Sequence, residues 1–202
     1  MRKTFLCLLF SVLGSLAQAA EPTDLSQGLG YLRVHSLDEA PKALAGAGDL
    51  VLDLRRTIAT PEAVAQFSSA LAGRAAESRL FVLVGPDTPV PLADALKGSL
   101  LTIGIKGSHP APEVVVRQSD DDDRKAYDAL EAGAALTDLI SGKVEKDRYD
   151  EATLVQEFKG GNHDAHPPES AQAKNDKSPA RLTDRVLQRA VNIHRALTAL
   201  KR

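Results

Sequence analysis

Leu50-Val51-Leu52-Asp53-Leu54-Arg55 decides the fold. The run is nearly continuous in branched aliphatic side chains, as a strand covered on both faces should be. Two similar runs flank it, Leu29-Gly30-Tyr31-Leu32-Arg33-Val34 before and Leu80-Phe81-Val82-Leu83-Val84 after. Between the first and second, residues 36–46 place Leu37, Ala40, Leu44 and Ala45 at helical spacing. Ser36 or Asp38 is positioned to cap that helix, and Gly46 and Gly48 to stop it. Between the second and third, Thr60-Pro61-Glu62 supplies a capping hydroxyl, a proline at the first helical position and an acid in the first turn. Val64, Phe67, Ala70 and Leu71 then share one face.

Outward from this core, a short helix is expected over Leu92–Leu96, with strands over Leu101–Ile105 and Glu113–Arg117. Strands alternating with helices of this length predict an α/β fold, with a mainly parallel sheet built from right-handed β-α-β units. Ser119 followed by Asp120, Asp121, Asp122 and Asp123 reads as a cap with acids at the positive end of a helix. That helix carries Ala126, Tyr127 and Leu130 and ends near Gly133. The acidic run lacks the ligand spacing, the glycine and the distal glutamate of a calcium loop, so no metal is assigned to it. Further helices are expected over Leu136–Ile140, Asp150–Phe158 and Leu182–Leu200. In the last, Leu182, Val186, Ala190, Ile193, Leu197 and Leu200 form one stripe, with Arg181, Arg185, Arg189, Asn192 and Arg195 opposite.

The chain has 202 residues, of which 43% are hydrophobic and 26% charged, enough for one globular domain with a substantial core. Its formal charge of −2 gives no reason to expect nucleic acid or an acidic membrane surface as partner. Residues 1–19 read as a cleavable signal peptide: Arg2 and Lys3, then an apolar stretch from Phe5 to Leu16, then Ala17-Gln18-Ala19. Export to the periplasm or outside is therefore expected. Cys7 lies inside that leader, so the mature chain folds without disulfides. Residues 20–159 form the expected α/β domain, 160–179 a linker poor in large apolar residues, and 180–202 the C-terminal amphipathic helix. His163 and His166 fall in the linker and supply too few ligands for a structural metal site.

The order Gly30 to Val34, helix, Leu50 to Arg55, helix, Phe81 to Val84 resembles the core of the tail-specific (C-terminal processing) serine peptidases. Asp184-Arg185-Val186-Leu187-Gln188-Arg189-Ala190 is similar to that family's terminal helix. The resemblance spans residues 28–110 and the last helix. It implies a crotonase-like core with C-terminal helices, acting in a bacterial envelope or a related compartment. It also implies a glycine-rich oxyanion turn, a serine nucleophile after the third strand and a partner lysine. This chain departs from that pattern. Arg55 is followed by Arg56-Thr57-Ile58-Ala59, without a glycine to bring amides to a substrate carbonyl. No serine occurs between Phe81 and Gly98, where Pro86, Pro89 and Pro91 remove amide donors. Lys106, in Gly104-Ile105-Lys106-Gly107-Ser108, resembles the family's lysine-bearing loop but has no serine on the neighbouring strand end to activate. The chain is also too short for the family's peptide-binding PDZ module.

The sequence thus predicts an exported, non-catalytic relative used in binding or assembly, with a protein or peptide as the class of partner and no cofactor. Ligands of parallel sheets sit beyond the carboxyl ends of the strands. That rule selects Arg55, Arg56, Asp87, Thr88 and Lys106 as the candidate ligand-binding surface. Two alternatives stand beside it. One is an active serine hydrolase with Ser99, Ser108 or Thr88 as a rearranged nucleophile. The other is an interaction protein that works through its last helix. His35, His109 and His194 lack acid and nucleophile partners in sequence, and His194 lies near the apolar side of the last helix.

Overall fold

The structure, a computed structural model, describes residues 21–46, 48–97, 100–141 and 182–200. The leader, the helix expected over Asp150–Phe158, the linker with His163 and His166, and Ser99 lie outside the described residues. The strands are β1 (Thr23–Asp24), β2 (Leu29–Arg33), β3 (Asp49–Asp53), β4 (Leu80–Val84), β5 (Leu101–Ile105) and β6 (Val114–Val116). The helices are α1 (Ala40–Leu44), α2 (Pro61–Ala72), α3 (Leu92–Ala95), α4 (Asp120–Glu131), α5 (Leu136–Ile140) and α6 (Arg185–Leu200). The strands form a six-stranded sheet in sequence order. β2 to β6 run parallel, and β1 pairs antiparallel with β2. The fold is therefore α/β with a mostly parallel sheet.

Cap chemistry places the longer helices where the sequence indicates. Ala63 N donates to Thr60 Oγ1 at 3.2 Å, and Asp122 N to Ser119 Oγ at 3.1 Å. The helix expected over 36–46 is shorter. A 3-10 turn at Leu37–Glu39 leads into α1, with Pro41 in its first turn, where a missing N–H costs nothing. Neither Ser36 nor Asp38 caps it, because the Ser36 hydroxyl is bonded to the Asp38 carboxylate.

Side chains alternate across the sheet. On one face Leu32, Val34, Leu50, Leu52, Leu54, Val82 and Val84 pack under α1, α2 and α3. On the other, Leu29, Tyr31, Val51, Phe81, Leu83, Ile103 and Ile105 pack under α6. Helix α6 buries Val186, Leu187, Ala190, Val191 and His194, a wider face than the predicted stripe. Leu182 precedes the helix, and Leu197 and Leu200 are exposed. His194 Nε2 meets Asp49 Oδ2 at 3.0 Å, at the amino end of β3. The helix therefore crosses the sheet from its carboxyl edge to its amino edge, and its last turn extends beyond the strands.

The β5–β6 connection, residues 106–113, contains no helix. It folds back so that Ser108 Oγ donates to Val84 O at 3.1 Å, which is possible only because residue 104 is glycine. A Cβ on Gly104 would lie 2.5 Å from Val84 O and 2.7 Å from Ser108 Oγ. Gly104→Ala is expected to lower stability by about 1–3 kcal/mol in urea unfolding. Gly73→Ala, whose Cβ meets nothing closer than 3.7 Å, is the control and should be neutral or slightly stabilising.

Candidate functional site

Asp53 closes β3 with its side chain on the α6 face, and Arg55, two residues on, turns to the same side. Arg55 is 2% exposed and Asp53 0%. A buried guanidinium must have all five of its N–H donors bonded, because each orphan carries a desolvation penalty. Here each finds a carboxylate oxygen. Arg55 Nε donates to Asp53 Oδ1 at 3.0 Å and Nη2 to Asp53 Oδ2 at 2.7 Å. Nη2 also donates to Asp184 Oδ2 at 2.7 Å, and Nη1 to Asp184 Oδ1 at 3.3 Å and Asp123 Oδ1 at 2.7 Å. One side chain thus ties the tip of β3 to α4 through Asp123 and to the start of α6 through Asp184. Asp184 Oδ1 also accepts from Leu187 N at 2.9 Å, so it caps α6 as well.

The network continues outward. Tyr31 OH donates to Asp53 Oδ2 at 2.9 Å. Arg33 donates to Glu131 Oε1 at 2.7 Å and to the Tyr127 carbonyl at 3.1 Å, and its guanidinium lies 3.8 Å from the centre of the Tyr127 ring. Burial alone would push the Asp53 carboxyl up, but the charge and hydrogen bonds of Arg55 outweigh it and hold Asp53 below the ordinary carboxylate range. Asp123 goes the other way: burial raises it, and Arg55 only partly opposes the shift. Burial, reinforced by Asp53, holds the Tyr31 phenol well above its usual value. Burial disfavours the Arg55 cation, yet Asp184 and Asp53 more than reverse this and raise its pKa.

The five sequence-selected residues separate. Arg55 is not a surface group: its donors are consumed within the fold. Thr88 is also buried, with Oγ1 donating to Leu54 O at 3.0 Å and accepting from Gly85 N at 2.9 Å. Both sit at strand ends as expected, but other parts of the chain fill the space a ligand would need. Arg56 and Asp87 come together at the rim, 3.8 Å apart, and Arg56 also reaches Asp128 of α4 at 3.5 Å. Lys106 is exposed at the start of the β5–β6 connection.

The groups an acyl-transfer site would require are committed elsewhere. The Ser108 and Thr88 hydroxyls donate to the Val84 and Leu54 carbonyls. The amides of Leu54, Thr88, Ser108 and His109 all donate to backbone carbonyls, and that of Arg55 to Asp53 Oδ1. Sequence reasoning did not single out Asp123 or Asp184 as partners of Arg55. The available signal was phase: Asp123 stands three and four residues before Ala126 and Tyr127, on the inner face of α4. At the opposite, amino edge of the sheet lies a cleft of about 410 Å³. Its walls are Leu71, Leu80, Phe81, Leu101 and Leu197, with Arg74 and Arg79 beside them. No family model, no curated protein and no solved structure matches the chain.

Arg55→Met leaves three buried carboxylates without their cation and is expected to cost about 3–5 kcal/mol in urea unfolding near neutral pH. The pH dependence of two further variants differs in sign. Because Asp53 is lowered, its contribution is present above the unfolded carboxyl value of about 3.9 and is lost as pH falls through its folded value. Asp53→Asn should therefore be destabilised at pH 7, by an amount that shrinks in acid. Because Asp123 is raised, its ionisation costs stability as pH rises from about 3.9 through its folded value. Asp123→Asn should therefore match or exceed the parent at pH 7 and lose that advantage in acid.

Proposed function

We propose that this chain is an exported, non-catalytic protein with a peptidase-like, crotonase-like core, used for binding or assembly. The observation that carries this reading is the commitment of the Thr88 and Ser108 hydroxyls to backbone carbonyls across neighbouring strand ends. A nucleophile needs a base within hydrogen-bond reach and an open approach to the carbonyl carbon. Here both hydroxyls are buried, and their protons are directed at main-chain oxygens. The stopper formed by Arg55, Asp123 and α4 supports the same conclusion, since it occupies the carboxyl edge where a parallel sheet ordinarily receives its substrate.

In this reading the partner, a protein or peptide, contacts the rim rather than a crevice. Arg56 and Asp87 are accessible there beside α4, and Lys106 stands on the next strand tip. The leader supports a periplasmic or secreted location. Helix α6 enters as scaffold, because its apolar face and Asp184 are committed to the core, while Arg189 and Arg195 face solvent.

A fluorophosphonate probe separates this reading from that of a rearranged serine hydrolase. Incubation with the folded protein is expected to leave the intact mass unchanged. A stoichiometric adduct mapped to Ser108, Thr88 or Ser99 would overturn the proposal.

A further inference from the structure

We propose that the cleft at the amino edge of the sheet binds an aliphatic carboxylate, with its acid group at Arg74 and Arg79 and its chain between α2 and α6. The cleft opens where the two apolar layers meet across β4 and β5. Leu71, in the last turn of α2, and Leu80 come from one layer, and Phe81 and Leu101 from the other. Leu197, in the last turn of α6, adds a further wall and is 38% exposed. A volume of about 410 Å³ is that of a small-molecule site, and such sites combine apolar walls with a few polar groups.

The polar groups here are two guanidiniums with unbonded donors, both in the α2–β4 connection, residues 73–79. Arg74 Nη1 donates to Leu44 O at 3.1 Å and Nη2 to Gly48 O, which uses two of its five N–H groups. Arg79 Nη1 reaches Thr198 Oγ1 at 3.5 Å, and its Nη2 bonds to nothing among the described residues. The Nε of each side chain is buried without a hydrogen-bond partner. Arg79 Nε lies 3.2 Å from Asp49 Oδ2 as an ion pair, but out of line for a hydrogen bond. At Arg55, by contrast, every donor meets a carboxylate oxygen. Ser78 lines the same cleft. Its hydroxyl accepts from Gly48 N at 3.3 Å and donates to no acceptor among the described residues.

Charge selects the occupant. Arg74 pairs with no carboxylate among the described residues, and Asp49, which acts on it from further off, is already shared by Arg79 and His194. Burial lowers the Arg74 pKa, and the charge of Asp49 only partly opposes the shift. Two fixed cations thus stand against one anion. A carboxylate supplies the missing negative charge and accepts a pair of N–H bonds from a guanidinium fork. The leucine walls call for an apolar tail behind it, since phosphate or a short dicarboxylate would leave them in water. This inference stands apart from the proposed function and holds whether or not the chain is catalytic.

The test is titration calorimetry of the full-length mature protein with decanoate, below the concentration at which it forms micelles. Decanoate should bind. Butyrate, which lacks most of the tail, and decylamine, which reverses the charge, should bind at least about tenfold more weakly. Arg74→Gln should raise the decanoate Kd about tenfold, the loss of a charge-assisted hydrogen bond. Leu197→Glu sets a fixed carboxylate on a partly exposed wall, and should abolish binding with the thermal midpoint unchanged. Arg189→Gln removes an exposed cation elsewhere on α6 and should bind like the parent. A parent that takes up no decanoate, or takes up decylamine equally well, would refute the site. So would binding indifferent to Leu197→Glu, or a folded Arg74→Gln that binds like the parent.

Discussion

One guanidinium holds the carboxyl edge of this sheet together. Arg55 is taken out of water at a cost no single ion pair would offset, and it remains charged because all five donors meet carboxylates from three separate segments. Such a cluster is weak evidence for stability in itself, since an apolar set of the same shape is often as stable. Its effect is positional. Asp53 comes from the sheet, Asp123 from α4 and Asp184 from the start of α6, and the planar fork of Arg55 accepts them in only one arrangement. The chain that returns after residue 181 is thereby told where its last helix begins.

That constraint also fills the strand tips. The carboxyl ends of parallel strands are the usual place for a ligand, and here polar side chains at those ends are bonded within the fold. Asp53, Arg55 and Thr88, polar residues at the tips of neighbouring strands, are turned inward, and α4 closes over them with Tyr127 against the guanidinium of Arg33. Arg56, Asp87 and Lys106 still reach solvent at that edge.

Much of the fold was legible because its signals are local. Continuous aliphatic runs marked β2 to β5, and hydroxyl caps marked α2 and α4. The edge strand β1 escaped because Thr23 and Asp24 are polar, only two residues long and paired by backbone alone. Helix α1 was overextended because the spacing of Leu37, Ala40 and Leu44 suits a 3-10 turn followed by a short helix as well as one longer helix. The site was the least legible part. In sequence Asp53 and Arg55 stand at the end of a strand, where a charge points to a ligand surface, and the partners of Arg55 lie 68 and 129 residues beyond it, a distance no local pattern spans. The acidic run at the start of α4 concealed Asp123 for a related reason: four adjacent carboxylates suggest a solvated helix end, and only the helical phase singles out the one that faces inward.

Nitrogen-15 NMR of the arginine guanidinium groups reads directly whether Arg55 is held through all five donors. If Arg55 is bonded through every donor, its Nη protons should appear as separate, slowly exchanging resonances at neutral pH, protected along with Nε–H. Solvent-facing Arg189 and Arg195 should give averaged, rapidly exchanging signals in the same spectrum. An Arg55 guanidinium that rotates and exchanges like those two would contradict the account, since a fork free to turn cannot be what fixes the positions of Asp123 and Asp184.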